Sequence, residues 1–350
     1  MAGLDAAQHA LDHLALLIGK STGRAGAAHH WIVSLRRVGD QIFLFGFSRG
    51  AFTVRALAGM LHVFGLLKPH QDVTAREVVQ RYSESEARII AQRRRRDLPP
   101  EFGPCEIDHA AMDPEAMEFA ARHTRPCVIH FLGLWDTVKA YGWVIPKSFP
   151  ALRHNTSVRT VRHAVALDER RALFQLTGWA SAHIDVKEVW FAGDHSDVGG
   201  GHTSGNTALA DASLRWMLGE ASAACLRLDP AAKERVACLE RRAAAAARTR
   251  AKGLWQRIGF FVPDCLLRQE LDNHAYPPAR RWRVLWPFGT RRPGDHAFGA
   301  TVRVHRSVEV RRRAGERRYR LARLVRRLRS AEPGPSLHVR RVADLAIKWE

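Results

Sequence analysis

The feature that most constrains the fold of this chain is a serine that lies between a short apolar run and a helical segment. Residues 41–45 (Gln-Ile-Phe-Leu-Phe) are apolar and partly aromatic, as in a strand buried on both faces. Residues 46–50 read Gly-Phe-Ser-Arg-Gly, and residues 51–67 have helical spacing that stops at Lys68-Pro69. The pattern predicts a strand, a sharp turn and a helix in direct succession.

Such a turn would suit a nucleophilic serine. A serine hydroxyl attacks efficiently only when a base removes its proton and substrate can reach it. Gly46 and Gly50 permit the tight bend that exposes Ser48, and the amide of Arg49 would point at the oxyanion formed on the attacked carbonyl. A Gly-x-Ser-x-Gly match arises by chance in about one chain in ten of this length. The position of the motif between a strand and a helix is therefore stronger evidence for a nucleophilic serine than the motif itself. A serine that caps the helix is the alternative interpretation.

Two further apolar runs predict strands that lead into candidate partners for Ser48. Residues 127–134 run into Asp136, and residues 188–192 run into the loop that holds His195. A sheet of the α/β-hydrolase type places its triad in the order Ser, Asp, His, and ligands collect at the carboxyl ends of parallel strands. We therefore expect Asp136 to orient His195 and His195 to deprotonate Ser48, with all three at one edge of the sheet.

The loop around His195 offers local alternatives. Asp197 could serve as the acid and His202 as the base. Asp197 lies only two residues from His195 and would struggle to reach behind its ring while the other ring nitrogen faced the nucleophile, so we favour Asp136. Taken singly, Asp136 also fits a helix N-cap and His195 a loop anchor. The glycines at 199–201 fit either an anion cradle or a flexible turn.

The alternation of strands and helices between residues 41 and 221 favours a mainly parallel sheet flanked by helices. Helical spacing predicts further helices over residues 4–18, 158–174, 207–221 and 231–252. Residues 305–308 fit either a loop or a short helix.

We expect one α/β-hydrolase-like domain over residues 1–325, followed by a basic tail over residues 326–350. Residues 72–124 are polar, with a run of four arginines and a Leu-Pro-Pro break, and they fit an insertion or cap better than part of the sheet. The C-terminal region is expected to be helical and rich in arginine.

The formal net charge is +20, from 55 Lys and Arg against 35 Asp and Glu. Such a charge attracts anionic surfaces of any kind, including nucleic acid and anionic lipid headgroups. Most of these arginines fit solvated faces of helices and strands, and no finger, homeodomain or aromatic RNA-binding sheet accompanies them in the sequence. An anionic membrane surface is therefore retained as a partner, and nucleic acid is not expected.

We predict neither a metal nor another cofactor. Five cysteines are scattered singly without a Cys-x-x-Cys pair, which argues against a zinc site and a disulfide framework, and there is no His-Glu-x-x-His set. The first twenty residues lack the basic start and apolar run of a signal peptide. Since no apolar run of about 18 residues occurs either, we expect a chain made in the cytoplasm without a transmembrane span.

Three blocks of this sequence resemble the signature blocks of the DUF2235 family, which includes the catalytic domain of Tle1-type phospholipase effectors of bacterial type VI secretion. The blocks are residues 39–51, 134–138 and 190–201, and the likeness extends to residues 164–171 and 214–217 and more loosely to 305–308. It spans most of residues 39–325. Blocks of this length are far more specific than the serine motif alone.

The resemblance implies an α/β-hydrolase fold, ester hydrolysis on lipids, and a triad at Ser48, Asp136 and His195. It also implies export by a type VI system, with a secretion component or an immunity protein as a partner. Family members begin with a strand that ends in an Asp-Gly-Thr-like turn, where the second oxyanion donor is expected. No such strand precedes the first predicted helix here, so we expect either that the chain is truncated or that another segment replaces this strand.

The leading hypothesis is therefore a serine esterase or phospholipase that forms an acyl-enzyme on Ser48. A second hypothesis, motivated by the missing strand, is a catalytically impaired hydrolase fold that acts as a binding or effector-associated module.

Overall fold

The structure of the protein is a computed structural model. It describes residues 40–68, 73–82, 84–85, 114–138, 155–169, 176, 179, 185–200, 208–231, 234–235, 301–313 and 346–349. The predicted helix at 4–18 and nearly all of the one at 231–252 lie outside these ranges. Within them, no helix combines the length and the apolar character needed to cross a membrane.

A mostly parallel sheet flanked by helices forms the centre of the fold, as predicted. Its six strands follow the order β1-β4-β5-β6-β7-β8, and β2 pairs with β3 in a separate two-stranded antiparallel sheet. The strands are β1 (Phe43–Phe47), β2 (Leu66–Leu67), β3 (Thr124–Arg125), β4 (Ile129–Trp135), β5 (Val158–Ala166), β6 (Asp185–Phe191), β7 (Thr301–Val304) and β8 (Ala346–Trp349). The helices are α1 (Arg49–Val63), α2 (Pro114–His123), α3 (His195–Gly199), α4 (Ala208–Ala223) and α5 (Arg306–Arg313).

The chain divides into two compact units. The described residues of the first unit fall within Met1–Leu132, Ala140–Thr160 and Ala180–Asp185. Those of the second unit fall within Gly133–Lys139, Val161–Trp179 and Val186–Glu350.

The strand, turn and helix predicted around Ser48 are present in the first unit. α1 is buried over most of its surface, as expected for a helix that is apolar on all sides. It ends at Val63, four residues earlier than predicted, because Gly65 has φ +74 and turns the chain into β2. A Cβ at Gly65 would lie 2.3 Å from the carbonyl oxygen of Arg125, so the close pairing of β2 with β3 requires glycine there.

The prediction of a helix over residues 158–174 was wrong, because β5 occupies Val158–Ala166. Every residue of β5 from Val161 onward is buried, so the strand shows no alternation between polar and apolar residues. Strands covered on both faces commonly lack this alternation. Arg162 and His163, which suggested the polar side of a helix, are both buried and have acidic partners in Glu220 and Glu188.

Two further helices agree with the sequence predictions, whereas the strands β2, β3, β7 and β8 were not predicted, and β7 and β8 lie in the C-terminal region that was expected to be helical. The helix predicted over residues 207–221 is α4, and residues 305–308 lead into the short helix α5. Within the predicted insertion, residues 75–82 are helical and α2 follows at Pro114–His123. In the C-terminal segment, β8 pairs in parallel with β7, with Thr301 opposite Ala346.

Candidate active site

Ser48 lies between β1 and α1 in a conformation that few residues with a side chain adopt. Its backbone has φ 58 and ψ −123, and its carbonyl accepts a hydrogen bond from the amide of Phe52 at 3.2 Å. Positive φ at a residue other than glycine carries strain of the order of 1–3 kcal/mol and often marks a functional turn. The side chain makes no capping hydrogen bond to the described first turn of α1, which disfavours the helix-cap interpretation.

The two glycines of the motif have different structural roles. A Cβ at Gly46 would lie 2.6 Å from the carbonyl oxygen of Gly50 and 2.7 Å from the amide nitrogen of Ala51. These are backbone atoms that cannot swing away, so the turn can close only with glycine at this position. A Cβ at Gly50 would meet nothing within 4 Å. Gly46 is therefore the glycine that the turn requires.

Asp136 follows β4 directly and is fully buried. Its backbone has φ 41, the second positive φ at a residue of the proposed triad. Its amide donates a hydrogen bond to the carbonyl of Ala164 at 2.8 Å, and its Oδ1 accepts one from the amide of Ala166 at 2.9 Å. β5 thus fixes both the backbone and one carboxylate oxygen of Asp136.

His195 begins the short helix α3 after β6 and is 5% exposed. Its Nδ1 lies 2.6 Å from Oδ2 of Asp136. A carboxylate can only accept, so the Nδ1–H of the ring donates to Asp136 and Nε2 carries no proton in the neutral ring. A histidine held in this way presents a basic nitrogen on the side away from its acid.

The local alternative for the acid does not have this geometry. Asp197 and Asp194 form a capping box on α3, in which Oδ2 of Asp197 accepts from the amide of Asp194 at 3.0 Å. The Nδ1 of His195 faces Asp136 instead. His202 and Gly201 lie outside the described residues, and Gly200, with φ 85, follows the last residue of α3.

Two buried acids that the sequence analysis did not single out hold the loop before His195. Oδ2 of Asp168 accepts from the amide of Gly193 at 2.8 Å, and the amide of Asp168 donates to the carbonyl of Gly193 at 2.9 Å. Oε2 of Glu169 lies 3.4 Å from the amide nitrogen of His195. Both acids belong to the block at residues 164–171, which carried part of the family resemblance without an assigned role.

Asp136 and His195 both belong to the second unit, where the structure brings them into contact. Ser48 and Arg49 belong to the first unit, with Arg49 as the exposed first residue of α1. The pairing of Ser48 with His195 and the oxyanion role of the Arg49 amide therefore stay predictions. Among the described residues, no group of three or more His, Cys, Asp and Glu side chains could hold a metal ion.

Comparison with protein families gives a match to the catalytic domain of the Tle1-like phospholipase effectors of type VI secretion over residues 16–220. This range covers more than half of the chain. The chain belongs to this family. The family predicted from the sequence blocks is thus confirmed, and Ser48, Asp136 and His195 all fall within the matched range.

Other similarities cover smaller parts of the proteins concerned. An uncharacterized protein of Saccharomyces cerevisiae, YEL023C, is 32% identical over 149 residues, which are 43% of this chain and 20% of the yeast protein. An uncharacterized protein from Pseudomonas aeruginosa has a crystal structure with 20% identity and a TM-score of 0.31, over 71% of this chain and 34% of that one.

A further solved structure is that of the Tle1 effector bound to the VgrG spike from the Type 6 secretion system. It has 21% identity and a TM-score of 0.26, over 55% of this chain and 32% of that one. This Tle1-like chain therefore spans about a fifth of the yeast relative and about a third of each solved chain.

Proposed function

We propose that this member of the Tle1-like family is a serine hydrolase that cleaves carboxylic esters of lipids or phospholipids. The observation that carries the proposal is the hydrogen bond between Nδ1 of His195 and Oδ2 of Asp136, two buried side chains. The membership of a phospholipase family supports the class of substrate. The strained turn at Ser48 supports the choice of nucleophile.

In the proposed reaction, Nε2 of His195 takes the proton of Ser48 while the serine oxygen attacks the ester carbonyl. The carboxylate of Asp136 holds the neutral tautomer and stabilises the imidazolium that forms. The tetrahedral intermediate collapses when His195 gives its proton to the departing alcohol, which leaves an acyl group on Ser48. A water molecule, deprotonated by His195 in turn, then hydrolyses the acyl-enzyme and releases the fatty acid.

The oxyanion of the intermediate would be stabilised first by the amide of Arg49, at the start of α1. In the family, the second donor is expected at the Asp-Gly-Thr-like turn that ends the first strand. Loss of one donor lowers the rate by about 10²–10³-fold. The alternative of a catalytically impaired binding module therefore predicts an intact Asp136–His195 pair without measurable turnover.

The family assignment also supports a proposed route and partners. As a type VI effector, the chain would be made in the cytoplasm and exported by the secretion system. A secretion component or an immunity protein would be its protein partner, a lipid or phospholipid ester its substrate, and an anionic membrane surface its site of attachment.

The decisive experiment compares the purified wild type with Ser48→Ala on short-chain acyl esters and on phospholipid vesicles. Ser222→Ala, an exposed serine on α4, is the matched control. We expect Ser48→Ala to lose at least about 10³-fold in rate, with Ser222→Ala unchanged. Equal rates in wild type and Ser48→Ala would exclude Ser48 as the nucleophile. A folded wild type without activity on any ester would favour the impaired module.

A further inference from the structure

The second unit contains another histidine–acid pair besides Asp136 and His195, in which the histidine is buried and the acid is 10% exposed. Nδ1 of His163 lies 2.8 Å from Oε1 of Glu188, and the His163 side chain is 0% exposed. The same Glu188 oxygen accepts a hydrogen bond from the amide of Trp179 at 3.1 Å. His163 lies within β5 and Glu188 within β6, so two neighbouring strands of the sheet supply the pair.

The other nitrogen of the His163 ring contacts the segment that follows β4. The amide of Thr137 donates a hydrogen bond to Nε2 of His163 at 3.1 Å. An imidazole nitrogen can accept only when it carries no proton, so the proton of the neutral ring lies on Nδ1 and is donated to Glu188. Glu188 thus selects the tautomer of His163 that can accept from Thr137.

Thr137 directly follows Asp136, whose backbone has φ 41. An aspartate with positive φ is strained and persists only when its surroundings fix it. The amide of Asp136 is fixed by the carbonyl of Ala164, and the next amide along the chain is fixed by His163. These two hydrogen bonds on either side of the Asp136 Cα hold the unusual backbone that directs the carboxylate to His195.

We propose that His163, held in one tautomer by Glu188, is a positioning residue that maintains the Asp136 carboxylate in line with His195. The proposal rests on the proposed function, because it assigns to His163 the orientation of the acid of that triad. His163 does not touch the reacting atoms in this scheme. It acts through the Thr137 amide, and a displacement of about 1 Å at a reacting group can cost about 10²-fold in rate.

The test replaces His163 by residues that differ in their ability to accept a hydrogen bond. His163→Leu keeps similar bulk without an acceptor, whereas His163→Gln supplies an amide oxygen that can accept from the Thr137 amide. We expect kcat of His163→Leu to fall by about 10²-fold with KM within about twofold. We expect His163→Gln to recover most of the lost kcat.

His62→Leu is the matched control for loss of a hydrogen-bonded histidine. Nδ1 of His62 lies 2.7 Å from Oγ of Ser157, and His62 lies near the carboxyl end of α1, about 21 Å along the helix from Ser48. We expect His62→Leu to be less stable than the wild type and to keep its kcat. A fall in kcat of His62→Leu equal to that of His163→Leu would overturn the specific role of His163.

A second readout does not depend on turnover. The proton between Nδ1 of His195 and Asp136 should give a strongly downfield NMR resonance. We expect it in the wild type and His163→Gln, and we expect it to be shifted or lost in His163→Leu. If the wild type and both variants fail to hydrolyse esters, the proposed function fails. A resonance that is changed in His163→Leu and kept in His163→Gln would still support the positioning role. An unchanged resonance in His163→Leu, or a loss that His163→Gln does not restore, would overturn the inference.

If His163→Leu does not fold, a measurement on the wild type replaces the comparison of variants. A through-hydrogen-bond coupling between the amide nitrogen of Thr137 and Nε2 of His163 is expected in the labelled protein. Its absence would overturn the proposal.

Discussion

Oδ2 of Asp136 lies 2.6 Å from Nδ1 of His195, and the two side chains are 0% and 6% exposed. The other carboxylate oxygen accepts from the amide of Ala166. Each carboxylate oxygen has its own donor in the protein, so a rotation of the carboxylate would break both hydrogen bonds. The pair is therefore sensitive to a change of one atom in Asp136.

Asp136→Asn is expected to keep the fold and to lower kcat by about 10⁴-fold. An asparagine that accepts from Ala166 through its oxygen would present its NH₂ group to His195. Nδ1 would then have to accept, and the proton would move to Nε2, where it blocks general-base action. Steady-state kinetics on a soluble ester, together with circular dichroism to verify folding, measures this effect.

Asp197→Asn is the matched comparison for the acid. Its oxygen can still accept from the amide of Asp194, so the cap on α3 should survive and kcat should change by less than about tenfold. A larger loss in Asp197→Asn than in Asp136→Asn would reverse the assignment of the acid.

Gly46→Ala should destabilise the protein, whereas Gly50→Ala should not. The new Cβ at Gly46 would press on the backbone of Gly50 and Ala51, so we expect a loss of about 1–3 kcal/mol or more in the free energy of unfolding. At Gly50 the Cβ enters open space within α1, where alanine should be neutral or stabilise by up to about 1 kcal/mol. Urea unfolding of both variants measures the difference, and equal destabilisation would contradict the described turn.

The elements that could be predicted from sequence are those whose pattern is local. β1, β4, β6 and α4 are apolar runs or amphipathic segments bounded by turn residues, and the structure confirms them. β5 could not be recognised because burial on both faces removes the alternation that distinguishes a strand from a helix. Its buried Arg162 and His163 became interpretable only once their partners Glu220 and Glu188 were brought near by the fold.

The candidate site likewise combines residues that a local pattern predicts with residues that only the fold brings together. The contact between Asp136 and His195 could be predicted because each residue follows a predicted strand, and the ends of parallel strands meet at one edge of a sheet. Asp168 and His163 act on backbone amides 25 and 26 residues away along the chain, and no short spacing reveals such contacts. The residues that support the site were therefore missed, although the family block at 164–171 includes Asp168.

Asp168→Ala should weaken the loop between β6 and α3. The buried amide of Gly193 would lose its acceptor, which typically costs about 1–3 kcal/mol. Since Gly193 lies two residues before His195, we also expect a lower kcat with little change in KM. Asp168→Asn retains an oxygen that can accept and should recover most of both losses. Thermal unfolding and kinetics of the two variants test this, and equal behaviour of Ala and Asn would show that the contact to Gly193 is unimportant.

The charge of the chain should make its attachment to membranes depend on lipid composition and salt. With a net charge of +20, the protein should sediment with vesicles that contain anionic phospholipid and bind far less to purely zwitterionic ones, since each basic residue near an anionic surface contributes about 1 kcal/mol. Binding should weaken as added salt shortens the screening length from about 30 Å at 0.01 M to about 8 Å at 0.15 M. Ser48→Ala should bind as the wild type does, because attachment precedes chemistry. Binding that is independent of both lipid charge and salt would show that the basic residues do not face the membrane. Tighter binding to duplex DNA than to anionic vesicles at equal salt would instead favour nucleic acid as the partner.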